Sequence, residues 1–198
     1  MVYDSGTIFE NNVKKKISMK KIVFALFLIL GATAVKAQEI KWMTFEEALK
    51  AQKKKPKAIL MDVYTEWCGP CKMLDKNTFQ NKDVAAYINK NYYAVKFNAE
   101  GNEEVNYKGQ KFVNPSYDAA RKGRNGTHQF TQALKVTGYP TMMFFNDKGE
   151  VVTPLVGYYK PEQIEIYLKA FSAEEYKKLD TREKWEAYMA AFKGEFKS

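Results

Sequence analysis

Cys68 and Cys71 are the only two cysteines of the chain, and they stand three positions apart in Glu66-Trp67-Cys68-Gly69-Pro70-Cys71-Lys72. Two thiols at this spacing admit three chemistries. As part of a zinc site they need further ligands, and the single histidine, His128, lies far along the sequence. As a structural staple they close a loop so short that little entropy is removed from the unfolded chain. As a redox dithiol they are well placed, because one thiolate can attack a disulfide and the other can resolve the mixed disulfide. The redox reading explains the spacing best, with a metal site and an inert staple as its alternatives; no metal and no cofactor is expected.

The surrounding elements must make such a thiol reactive. The run "KAILMDVYT", 57–65, is apolar apart from Asp62 and predicts a strand buried on both faces. "CKMLDKNTF" then has a helical pattern, so Cys68 falls where a strand turns into a helix. Unpaired amides and aligned peptide dipoles at a helix start favour negative charge. Cys68 is therefore expected to be the more acidic and accessible thiol, and Cys71, one turn on, the more buried. Pro70 in the first turn costs no helical hydrogen bond. Asp62 within an apolar strand is costly unless paired or protonated, which marks it as a perturbed carboxyl. Tyr139-Pro140 is a candidate cis step.

The remaining pattern supplies a scaffold. Thr44 and Glu47 form a capping box before a helix that ends at the Lys53-Lys54-Lys55-Pro56 run. "NKDVAAYINKN" gives another helix, and "YYAVKFNAE", 92–100, another strand. Residues 101–126 follow no helical period, and eight of the 26 are Gly or Asn, so this stretch reads as an insertion. A small hairpin is expected to turn at Lys108-Gly109, with the local aromatics forming a satellite core. Thr127 is expected to cap a short helix, with His128 at the surface. Two strands joined at Asn146–Gly149 come next, then the helix "KPEQIEIYLKAF". A last amphipathic segment, Thr181–Phe192, sets Trp185, Tyr188, Met189 and Phe192 on one face, expected to pack on the domain. A parallel pair followed by an antiparallel hairpin predicts an α/β layered domain.

Composition agrees: 45% hydrophobic and 15% aromatic residues are those of a packed globular protein. The net charge of +9 is inflated by the N-terminus. From Met19 the sequence reads Lys20-Lys21, then an apolar run, Ile22–Ala34, too short to span a bilayer comfortably, then Val35-Lys36-Ala37. This predicts a cleavable secretory signal within an extension, 1–37, and a mature domain over 38–198, with an uncleaved membrane anchor as the alternative. Removing residues 1–37 takes away six Lys and two acids, leaving +5. No nucleic-acid motif accompanies that charge, so no nucleic-acid partner is expected. The domain is expected to be monomeric, with the insertion at about 101–126 and a C-terminal helical extension at about 173–198.

Together, "ILMDVYTEWCGPCKMLDK", "VKFNAE" and "VTGYPTMMFFNDKGEVVTPLVGYYKPEQIEIYLKAF" resemble thioredoxin from Lys57 to about Phe171, apart from the insertion. The resemblance implies the thioredoxin fold, a central mixed sheet flanked by helices. It implies a thiol–disulfide oxidoreductase with a redox-active Cys68–Cys71 pair, Cys68 as nucleophile and Cys71 as resolving thiol. Asp62 corresponds to the buried carboxylate that exchanges protons with the second cysteine, and Lys96 to the lysine beside it. Trp67, Gly69, Pro70, Tyr139 and Pro140 correspond to the surface that meets substrate, with Pro140 as the cis-proline. The implied partners are proteins carrying disulfides or thiols; a reductase in an oxidising compartment also needs electrons from elsewhere, so a membrane thiol electron donor is a candidate partner. The implied place is the bacterial periplasm. Tyr64-Thr65 and Tyr139 depart from cytosolic thioredoxins, and Gly138-Tyr139-Pro140-Thr141 is similar to protein disulfide isomerases. Disulfide reduction is the favoured direction; oxidation or isomerisation, and a peptide-binding module, are the alternatives.

Overall fold

A computed structural model describes residues 39–172 and 175–197. The signal segment and its cleavage site lie outside the described residues. Strand β1 (Trp42–Met43) leads into α1 (Phe45–Lys54). Thr44 caps α1 as its sequence demands: its hydroxyl accepts from the Glu47 N–H at 3.2 Å, and Glu47 Oε2 accepts from the Thr44 N–H at 2.8 Å. β2 (Ala58–Tyr64) follows, then α2 (Gly69–Leu74), a π-helical turn (Asp75–Phe79), α3 (Lys82–Asn91) and β3 (Tyr92–Asn98). The insertion contributes a hairpin, β4 (Val105–Tyr107) and β5 (Gln110–Phe112). The chain continues with α4 (Gln129–Ala133), β6 (Thr141–Phe145), β7 (Val151–Val156) and α5 (Pro161–Ser172). A 3-10 turn (Glu175–Lys178) and α6 (Arg182–Ala191) form the C-terminal extension.

The main sheet has the order β1-β3-β2-β6-β7. β1 and β2 run parallel to β3, and β6 and β7 are antiparallel. This is the mixed sheet with helices on its faces that the apolar run and the hairpin predict. β2 is central, which explains its near-continuous apolar sequence. One face carries Leu60, Tyr92, Ala94, Met142 and Phe144 against Leu74, Phe79, Val84, Ile88, Ile164 and Leu168 of α2 to α3 and α5. The other carries Ile59, Met61, Val63, Val95, Phe97, Met143 and Phe145 against Phe45, Ala48 and Phe130.

Three local expectations are corrected. The insertion's aromatics do not form a satellite core. Phe112 is buried in the second core, and Tyr107 packs against Phe45 and Phe130. Strands of three residues have too little surface to bury anything alone, so the hairpin lies on α1 and α4. His128 is fully buried, not at the surface. It also replaces Thr127 as the cap of α4: its Nδ1 accepts from the Phe130 N–H at 3.0 Å, which puts the proton on Nε2, within 2.6 Å of the Glu103 carbonyl. Burial lowers its pKa, in keeping with a neutral ring.

After α6 the chain folds back. Fully buried Glu165 of α5 accepts the backbone N–H groups of Glu195 and Phe196 at 2.8–2.9 Å and pairs with Lys169 at 2.8 Å. Gly194 lets the strap come this close, because a Cβ there would stand 2.9 Å from the Glu165 carboxylate. Glu165→Ala is expected to cost about 2–3 kcal/mol, since it orphans several charge-assisted hydrogen bonds. Thermal melting should show the loss, and limited proteolysis should cut 193–197 first. An unchanged melt with an intact tail would refute the strap's contribution.

Candidate active site

The site grows from the end of β2. Cys68 is the N-cap of α2, with extended backbone (φ −75°, ψ 103°). Its Sγ accepts from the Cys71 N–H at 3.1 Å, and the two sulfurs are joined as a disulfide. Pro70 occupies the first turn, as its missing donor allows. Both cysteines are only 3% exposed, so the expected difference in accessibility does not appear in this oxidised state. The asymmetry lies in the backbone: Cys68 caps the helix, where N–H groups point at it, and Cys71 lies inside it. Gly69 and Pro70 are exposed, and a Cβ on Gly69 would meet nothing within 4 Å, so the outer surface of the turn is open.

Asp62 is on the β2 face covered by these helices, and Lys96 is its register partner on β3. Asp62 is 1% exposed; the Lys96 Nζ stands 3.0 Å from its Oδ2. This contact is an ion pair at hydrogen-bond distance whose angles fall short of a well-aligned bond. Burial pushes the Asp62 carboxyl up to about 6; Lys96 opposes the rise and Asp75 adds to it. Lys96 also pairs with Asp75. Its ammonium lies over the rings of Trp42 at 4.9 Å, Tyr64 at 5.1 Å and Phe79 at 5.7 Å. Burial, with Glu66 next, pushes Tyr64 up to about 12, so its hydroxyl stays neutral.

Trp67 is 38% exposed. Tyr139 meets it edge-on, with ring centroids 6.0 Å apart and planes at 80°. This contact brings the Tyr139–Pro140 step, which is cis, to the flank of the cysteine turn. Pro140 is buried, and its carbonyl accepts from the Gly157 N–H at 2.8 Å. The structure thus gathers Asp62 with Lys96, Cys68 with Cys71, Gly69 and Pro70, and Trp67 with Tyr139 and Pro140.

Sequence reasoning missed Asp75, Glu100 and Arg124. Asp75 had a signal: it stands four residues after Cys71, one turn along the same helical face. The other two, Glu100 just beyond β3 and Arg124 in the insertion, meet Trp67 across the fold and had none. Glu100 Oε2 accepts the Trp67 indole N–H at 3.0 Å and the Asn125 backbone N–H at 2.7 Å. The Arg124 guanidinium lies 4.2 Å over the Trp67 ring. Among the described residues no cluster of three His, Cys, Asp or Glu side chains is placed to hold a metal ion.

Residues 45–172, nearly two thirds of the chain, match the thioredoxin-like domain family. The chain belongs to that family. A thioredoxin-fold protein from Helicobacter pylori superposes on this thioredoxin-like chain with a TM-score of 0.53 at 20% identity, covering 68% of this chain and 83% of that one. That likeness supports the fold. In sequence, the chain is similar to the thiol:disulfide interchange proteins DsbD of Pectobacterium atrosepticum, 25% identical over 121 residues, and of Vibrio cholerae, 28% identical over 125. These matches cover 60% and 59% of the chain, which spans only 17% of each relative. No described helix of the thioredoxin-like chain is long and apolar enough to cross a membrane.

Proposed function

We propose that this thioredoxin-like chain is a secreted, periplasmic thiol–disulfide oxidoreductase that reduces disulfides in proteins. The observation that carries the reading is the Cys68–Cys71 disulfide at the start of α2, with Asp62 and Lys96 beneath the same sheet face. In the reduced form the Cys68 thiolate attacks one sulfur of a substrate disulfide. The substrate S–S bond breaks, the departing sulfur leaves as a thiolate and takes a proton, and a mixed disulfide forms on Cys68. Cys71 then gives up its proton and attacks the Cys68 sulfur, which releases the second substrate sulfur as a thiol. Two electrons pass from the dithiol to the substrate, and Cys68–Cys71 is left as the disulfide.

Asp62 suits the role of proton acceptor for Cys71, because a carboxyl titrating near 6 is ionised at neutral pH yet basic enough to take a proton. Trp67, Gly69, Pro70, Tyr139 and Pro140 form the surface on which the substrate rests. Gly-Pro between the cysteines resembles the reducing end of the scale, near −270 mV against about −180 mV for protein disulfide isomerase, a gap of roughly 4 kcal/mol. The spent disulfide needs a thiol donor, and a membrane protein that carries electrons outward fits that need. The names of the DsbD relatives support interchange chemistry in general. Secretion rests on the charged and apolar segments before Gln38.

Reduced protein is expected to precipitate insulin by reducing it, and Cys68→Ser to abolish this. The measured potential should lie nearer −270 than −180 mV; a value near or above −180 mV would make the protein an oxidase or isomerase instead. Protein taken from its native compartment should have a mass beginning at or near Gln38, and a mass that includes 22–34 would count against secretion by cleavage.

A further inference from the structure

The loop 118–125 of the insertion ends against the active site and carries unpaired positive charge there. Arg121, Lys122 and Arg124 are exposed, and among the described residues none has an acidic partner within ion-pairing distance. The neighbouring acids are otherwise engaged. Glu100 Oε2 holds the Trp67 indole and the Asn125 N–H. Asp118 Oδ1 accepts from the Ala120 N–H at 2.9 Å, and Glu66 accepts from the Tyr64 hydroxyl at 3.4 Å. Asn125 closes the loop in both directions, accepting from the Asp118 N–H at 2.9 Å and donating to its carbonyl at 2.8 Å. Gly123, at φ +90°, makes the turn that returns the chain to Trp67.

Arg124 is therefore mounted, not trailing. Its guanidinium rests on the indole of the residue directly before Cys68, and the same glutamate oxygen fixes both the indole and the loop's end. A guanidinium held over a ring still offers N–H donors at its edge, and that edge matches a carboxylate with two parallel hydrogen bonds. The stack removes much of the side-chain freedom that binding would otherwise cost.

We infer that this loop selects substrates: the protein acts on polypeptides that carry an Asp or Glu close to the reacting disulfide, with Arg124 receiving the carboxylate and Arg121 and Lys122 adding to the local field. The inference rests on the thiol–disulfide exchange proposed above and names the class of protein that exchange serves. A substrate strand with one sulfur at Cys68 advances ~3.3 Å per residue. Trp67 directly precedes Cys68, so the acid that reaches Arg124 stands close in sequence to the substrate cysteine.

The test uses two peptides, each closed by one internal disulfide, identical except that one carries Asp and Glu beside a cysteine and the other Asn and Gln. Pre-reduced protein is mixed with each in single-turnover reactions, so that its own dithiol supplies the two electrons. Wild type is expected to reduce the acidic peptide about tenfold faster at low salt, with the ratio falling toward one as salt screens the contact. Arg124→Glu should invert the ratio; Arg124→Lys, which keeps charge but loses the stack and the fork, should retain only part of it. Equal rates on both peptides for wild type would overturn the inference while leaving the exchange activity in place. So would an Arg124→Glu protein that slows on both peptides with an unchanged ratio, because that is the signature of packing against Trp67 alone. If wild type reduced neither peptide nor insulin, the exchange activity itself would fall, and the substrate preference with it.

Discussion

Cys71→Ser is expected to turn the protein into a trap for its substrates. Attack by Cys68 needs only the Cys68 thiolate, which caps α2 and receives the residue 71 N–H. Release needs a second thiol already in place, and Cys71 is the only other one in the chain. Well-oriented intramolecular groups act at effective concentrations of about 10⁵ M or more. Millimolar outside thiols cannot match that, so turnover should fall by about 10³-fold or more. Protein recovered without reductant should carry covalent partners that dithiothreitol releases, and their identification would name the substrates. Cys68→Ser should trap none, because the remaining Cys71 lies inside the helix, behind the N-cap position where the free N–H groups favour a thiolate. Equal trapping by both variants would end the assignment of nucleophile and resolver. Capture by both without a covalent bond would favour a peptide-binding module.

The second large effect is on stability and runs opposite to activity. Asp62 titrates at about 6 in the folded chain, against 3.8 for the free group, with burial as the main cause. The sign follows from which state holds its proton more tightly. Below about pH 3.8 the group is protonated in both states and contributes nothing. Between there and pH 6 the folded state holds the proton the unfolded state has lost, so stability falls as pH rises. Above pH 6 the full penalty applies, about 3 kcal/mol. Asp62→Asn removes the charge and keeps the shape, while Lys96 keeps Asp75 as its partner. The new amide's unpaired atoms return about 1 kcal/mol of that gain. A net gain of about 2 kcal/mol should raise the melting temperature by roughly 4–8 °C at pH 8 and vanish near pH 4. The same variant should exchange disulfides more slowly at neutral pH, for lack of the proton acceptor. A melt at pH 8 no higher than that of wild type, or a gain that survives at pH 4, would sink the account.

Both effects concern residues that are legible in the amino-acid sequence. The cysteine turn, the buried Asp62 and the strand that carries it are local in sequence, and the apolar run of β2 shows that both its faces are covered. The capping box of α1 is legible for the same reason. Lys96 is legible only through resemblance, since an isolated lysine on a strand carries no mark of its partner. The features that the sequence hides depend on distant contacts. Arg124 reaches Trp67 from the far end of a loop and Glu100 from just beyond β3, and no periodicity encodes either meeting. His128 reads as a surface residue because its burial comes from Phe97, whose ring lies 5.2 Å away, and from the Glu103 carbonyl. The C-terminal strap depends on Glu165, which a helical pattern places only at the edge of an apolar stripe.

The pairing of Asp62 with Lys96 has one more consequence, for how the chain finds its fold. The two residues face each other across β2 and β3, on the same side of the sheet. Successive strand residues alternate sides, so a slip of β3 by one position would carry Lys96 to the opposite layer. Asp62 would then be sealed in apolar surroundings with no cation beside it. Apolar neighbours such as Leu60 and Ala94 tolerate a misaligned strand far better than a lone carboxylate does. The charge that weakens the finished domain therefore also marks its alignment, and penalises the compact misfold in which the two central strands meet one residue out of step.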